Sequence, residues 1–136
     1  MQGAGAQSDN PIMGQMLLDV SYFSKRVTEE VARARRSGTQ FSVVIFRSQP
    51  RGDELPEMAC VEALPAVLAN VRDTDTVCRI SHDSIAVLLI DSDGEGSRKA
   101  ALRLMDRMGA DLSRWSVSIL EYPACTSILD DLGLAA

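Results

Sequence analysis

No apolar run in this chain of 136 residues approaches the ~18 consecutive positions a membrane-spanning helix requires. Its longest runs are of the kind Ile85-Ala86-Val87-Leu88-Leu89-Ile90, so a soluble protein with no membrane partner is expected. Cysteine is scarce. Cys60, Cys78 and Cys125 are odd in number and widely spaced, which argues against a disulfide framework and against a zinc site, and points to a reducing cytoplasm. Histidine is scarcer: His82 is the single one. With no second His and no positioned Cys beside it, His82 reads as a polar turn residue, and neither a metal nor another cofactor is expected. The first residues lack both a basic n-region and an apolar h-region, so residues 1–11 resemble no secretory signal and read as a flexible leader. Positive charge is the minority, 14 Lys and Arg against 19 Asp and Glu, for a net charge of −5. The molecule as a whole therefore repels nucleic acid and anionic lipid, and an anionic ligand has to be caught by a local basic cluster.

What is present is ordinary for a globular domain: 46% hydrophobic and 24% charged residues. That excludes collagen-like, low-complexity and disordered classes. Residues 12–136 fit one domain, and a chain of this size buries roughly two-thirds of its unfolded surface, enough to fold without disulfides or metal.

Over residues 12–37 the apolar positions Met16, Val20, Phe23, Val27, Val31 and Ala34 recur at threes and fours, which predicts an amphipathic helix. Its Met13, Met16, Leu17, Val20 face leaves two readings, packing on its own domain or pairing with a second copy. Arg33, Arg35 and Arg36 suit the helix C-terminus, and Gly38 supplies the stop. Residues 41–46 read as a central strand, apolar on both faces, followed by a loop over 48–53. Val61, Leu64, Leu68 and Val71 describe a second helical face, with Pro65 expected to start or kink it. Residues 75–80 and 84–90 are strand-like runs about the tip Ser81-His82-Asp83, a hairpin. A third helix is predicted over 96–111, with Ala101, Leu104, Met105, Met108 and Leu112 inward, and a last strand over 115–120. Cys78, beside Val77, is expected to be a buried thiol. Without the leading helix the order is βαββαβ. The fold class is α/β in the α+β sense: a ferredoxin-like core with a central, mainly antiparallel sheet and helices on one face, plus an added N-terminal helix.

Arg72 and Asp75 form an R-x-x-D motif. Arg79 follows four residues after its acid, and Ser81-His82-Asp83-Ser84-Ile85 begins one spacer later. This arrangement resembles, without a gap, the signature region of the GGDEF family, the diguanylate cyclases. Residues 23–46 are similar to the helix and first strand of that family, and residues 117–123 to its late "vSiGvaeyP" strand. The resemblance implies a setting in bacterial signal transduction.

The departures from that pattern are as informative as the match. The family condenses a pair of GTP molecules, held with Mg²⁺ by carboxylates at the end of the first strand and on the signature hairpin. Here the first-strand positions are Phe46 and Ser48, and neither is a carboxylate. Ser81 and His82 replace the signature glycines and Ser84 the signature Glu, so Asp83 alone remains of the named residues. The resemblance therefore implies a degenerate domain that is not an enzyme. It also implies a retained product-sensing site, in which Arg72, Asp75 and Arg103 would grip cyclic di-GMP. A guanidinium makes a two-pronged contact to O6 and N7 of guanine, and a carboxylate accepts from N1 and N2. The first functional expectation is thus a cyclic di-GMP receptor. The second is a protein-interaction or dimerisation module that binds no nucleotide, which is all that is left if the Arg72 and Asp75 side chains point apart or are sealed beneath neighbours.

Overall fold

The computed structural model describes residues 20–49, 52–109, 114–125 and 128–132. Along them run α1 (Val20–Ser37), β1 (Phe41–Ser48), α2 (Pro56–Ala69), β2 (Thr76–Ser81), β3 (Ser84–Ile90), α3 (Gly94–Met108), β4 (Trp115–Tyr122) and a single-turn α4 (Ile128–Asp131). The strands form one sheet in the order β2-β3-β1-β4, with every neighbouring pair antiparallel. This is the expected α+β, ferredoxin-like core. The leader over 1–11 and the positions Met13, Met16, Leu17 and Leu112 lie outside the described residues.

β1 is central because both of its faces are apolar. Val44 and Phe46 point to the layer of α2 and α3, where they pack with Ile85, Val87, Leu64, Val67, Leu104 and Trp115. Phe41 and Val43 belong to the opposite cluster, with Ala86, Leu88, Phe23, Val27, Ile128 and Leu132. Phe41 stacks on Tyr122 there at 5.1 Å between ring centroids. The helices expected on one face do lie there, but the other face is covered too, by α1 and α4. The described part of the leading helix packs on its own sheet, with Phe23 and Val27 fully buried; of the face on which its two readings turn, only Val20 is described, partly buried against the same cluster.

Several boundaries move, each for a local reason. Ser48 stays in β1, paired with Trp115, rather than opening the loop. α2 starts at Pro56 and runs through Pro65 instead of beginning there. A proline in the first turn gives up an N–H that has no helical partner anyway, and Pro65 sits on the exposed side. The buried face of α2 is Cys60, Ala63, Leu64 and Val67; Val61 faces out and Val71 follows the helix. β2 begins at Thr76, and the hairpin tip narrows to His82-Asp83 because Ser81 pairs with Ser84. α3 begins at Gly94, since Asp93 is its N-cap and accepts from the Gly96 N–H at 2.7 Å. It ends at Gly109, whose φ of 67° is the left-handed C-terminal stop.

Candidate functional site

The hairpin tip and the end of β1 meet. The Ser48 N–H donates to the Asp83 carbonyl at 2.7 Å, and Arg47 lies opposite Ser84 in the β1–β3 register. Both neighbouring serines turn onto the one remaining acid: Ser81 Oγ donates to Asp83 Oδ1 at 2.7 Å and Ser84 Oγ donates to the same oxygen at 3.0 Å. Arg47 Nε in turn donates to Ser84 Oγ at 3.3 Å. The Ser81 hydrogen bond, helped by Ser84, Arg47 and His82 and opposed by partial burial, holds the Asp83 carboxyl below its ordinary pKa.

Mg²⁺, which the sequence resemblance implies for a cyclase, does not fit these donors. Phe46 is sealed in the core, and Ser48 is buried with a hydroxyl that has no hydrogen-bond partner among the described residues. The single carboxylate is shared by hydroxyl donors and faces a guanidinium, where a hard cation asks for several anionic oxygens. Among the described residues no cluster of three or more His, Cys, Asp or Glu gathers to hold a metal. His82 is exposed at the turn, Ile85 is fully buried, and Cys78 is the buried thiol expected. Burial pushes the Cys60 thiol up to about 11, far from the reactive range.

The R-x-x-D residues come together at the other end of β2, chiefly on each other. The backbone N–H and Nε of Arg72 donate to Asp75 Oδ2 at 3.0 and 3.3 Å, and its Nη2 donates to Oδ1 at 3.1 Å. The Asp75 N–H returns a bond to the Arg72 carbonyl at 3.0 Å. Arg72 Nη2 also reaches across to the Ile90 carbonyl at 2.7 Å and the Ser92 hydroxyl at 3.4 Å, tying the loop before β2 to the end of β3. The outcome is asymmetric: the Arg72 side chain is 55% exposed and that of Asp75 1%. Asp75 is a staple beneath its arginine, almost closed to solvent. Arg103, exposed on α3, extends Nη2 to the Asn70 carbonyl at 3.4 Å, so a second guanidinium reaches the loop over 70–75.

Two features escape the sequence reading. Arg47 joins the hairpin tip only through the antiparallel register of β1 with β3, which no spacing along the chain reveals. The outer side of α2 leaves Leu55, Met58 and Val61 each more than half exposed; the signal was available in a helix that has only two charged residues.

No family model and no curated protein matches the chain. Solved structures do. A DGC protein from Thermotoga maritima superposes with a TM-score of 0.68 at 20% identity, over 85% of this chain and 93% of that one. The GGDEF domain of DgcB from Caulobacter crescentus, in complex with c-di-GMP, gives 0.59 at 9% identity over 89% and 80%. The diguanylate cyclase SiaD of Pseudomonas aeruginosa, in complex with its activator SiaC, gives 0.59 at 16% identity over 74% and 44%. Identities this low speak for architecture, and the architecture is that of the GGDEF domain.

Proposed function

We propose that this GGDEF-fold chain is a regulatory module without cyclase chemistry, working in the cytoplasm through contacts with another protein. The observation that carries the proposal is the hairpin tip. Where phosphoryl transfer needs clustered acids and metal, Asp83 is bound by Ser81 and Ser84 in front of Arg47. A protein partner has a parallel in the SiaD complex with its activator. Among the described residues no helix is long and apolar enough to cross a membrane. The test is incubation of the purified chain with GTP and Mg²⁺ followed by chromatography. No cyclic dinucleotide is expected, and measurable turnover overturns the proposal.

A second reading, a cyclic di-GMP receptor built on Arg72, Asp75 and Arg103, is favoured by the exposure of the two guanidiniums around one loop. The DgcB complex with c-di-GMP adds to it. It ranks second because the ligand would first have to lift Arg72 off a carboxylate already satisfied by three N–H donors. Calorimetry separates the readings. Contact regulation predicts no heat with cyclic di-GMP at about 100 μM, whereas a receptor gives saturable heat, weakened by salt and lost in Arg72→Ala.

A further inference from the structure

α2 carries more apolar surface than its own domain covers. Cys60, Ala63, Leu64 and Val67 account for the side turned to the core. On the other side Met58 and Val61 stand more than half exposed, exposed Pro65 continues the line, and Leu55, more than half exposed as well, precedes it at the N-cap. At 1.5 Å of rise per residue, the helical part of this row, Met58 to Pro65, is about 10 Å long. Single exposed apolar side chains need no explanation, but a contiguous row on one helix does.

The charges carried by α2 itself are of one sign. Glu57 and Glu62 are the only charged residues of α2, and both are exposed. At 100° per residue they fall on opposite flanks of the Met58, Val61, Pro65 line. Exposed Asp53 and Glu54 extend the acidic border at the helix start. Among the described residues two arginines reach this border, Arg114 on Glu54 and Arg79, more loosely at 3.8 Å, on Glu57, while Glu62 on the other flank has no ion pair. An apolar row between acidic flanks is complementary to an amphipathic helix with an apolar stripe between Lys or Arg residues. A second copy of this chain is a poorer match, because a two-fold pairing of α2 with itself sets acid against acid.

We propose that the outer face of α2 docks a basic amphipathic helix of a partner protein, with Leu55, Met58 and Val61 as apolar anchors and Glu57 and Glu62 as flanking acids. This rests on the reading of the chain as a contact module and names the class of partner. The acidic net charge of the whole chain, −5, speeds the encounter with such a helix.

The test is fluorescence anisotropy with a labelled peptide roughly 18 residues long, enough to form a helix, carrying leucines along one face and lysines on both flanks. A twin peptide has glutamates in place of the lysines. The lysine peptide is expected to bind at least about ten-fold more tightly than its twin. The M58A/V61A double variant should lose about ten-fold of that affinity, and E57K/E62K should reverse the preference between the peptides. Leu102→Ala, at an exposed leucine of α3, should change nothing. Circular dichroism confirms that the variants are folded, as expected for substitutions of exposed side chains. Equal binding of the two peptides, or full binding by M58A/V61A, overturns the proposal. A dimer seen in sedimentation that M58A/V61A dissolves assigns the face to a second copy and overturns it as well. Either failure leaves the outcome with GTP and Mg²⁺ untouched, so loss of the docking site and loss of the non-catalytic reading are separate outcomes.

Discussion

With both oxygens of Asp75 bound by Arg72, and one side chain buried under the other, the R-x-x-D residues act as a unit of stability. Removing one partner of a fully buried ion pair costs roughly 3–5 kcal/mol, since it strands a charge. Water can replace much of a half-exposed guanidinium, so Arg72→Ala should cost less, about 1–3 kcal/mol in a urea titration. A loss under about 0.5 kcal/mol, the usual size for an uninvolved surface change, would mean that Arg72 is free for a ligand and would restore the receptor reading to first place. Asp83 makes a pH-dependent counterpart. Its folded pKa is depressed, led by the Ser81 hydrogen bond, so the native state binds its proton less tightly than the unfolded chain does. That contribution is complete above the unfolded carboxyl value near 3.9 and is lost as pH falls through the lower folded value. Asp83→Asn should therefore melt below the parent at neutral pH and draw level with it in acid. A gap that stays constant from pH 7 to about 2 would show that the carboxylate gains nothing from its serines.

At the scale of elements, the parts that could be read in advance are those whose two sides differ. α1 and α3 alternate apolar and charged positions, so their inward residues Phe23, Val27, Ala101, Leu104 and Met105 follow from spacing. The β2–β3 hairpin follows from two apolar runs about a polar tip. α2 defeats the same logic: with two charges in fourteen residues, every side of it reads as a core face, and only packing chooses Cys60, Ala63, Leu64 and Val67. The candidate sites divide in the same way. Spacing brings Arg72 near Asp75 and Ser81 near Asp83, but which side chain covers the other, and the arrival of Arg47 from β1, depend on burial and strand register. Pro65 is an element-scale oddity with a measurable effect. It removes the N–H that would bond the Val61 carbonyl, and an interior proline is about 3 kcal/mol worse than alanine, less the 0.4–1 kcal/mol by which it restricts the unfolded chain. Pro65 is exposed, so Pro65→Ala loses little packing and should stabilise by about 2 kcal/mol. A variant no more stable than the parent would show that the helix has already adapted to its missing bond.

The whole molecule is a sheet clad on both faces, which makes its two apolar clusters, one per face, mechanically dependent on the same strands. Val44 and Phe46 of β1 serve one cluster, Phe41 and Val43 the other, and β3 divides in the same way. A loss on one face should therefore be felt on the other, and the single tryptophan allows a direct test. Trp115 is buried in the cluster beneath α2 and α3, while Phe23 of α1 is fully buried in the opposite one. Phe23→Ala opens a cavity there and should cost about 3–5 kcal/mol, a large share of the 5–15 kcal/mol typical of a domain. If the layers unfold together, the urea midpoint followed by Trp115 fluorescence falls as far as the midpoint followed by far-ultraviolet circular dichroism, and the two curves stay superimposed. If α1 is instead a separable cladding, the dichroism shows an early loss of helix while the fluorescence midpoint holds. Coincidence would place α1 inside the cooperative unit, so that a force or contact applied to that helix is transmitted through β1 and β3 to the layer that carries the exposed face of α2.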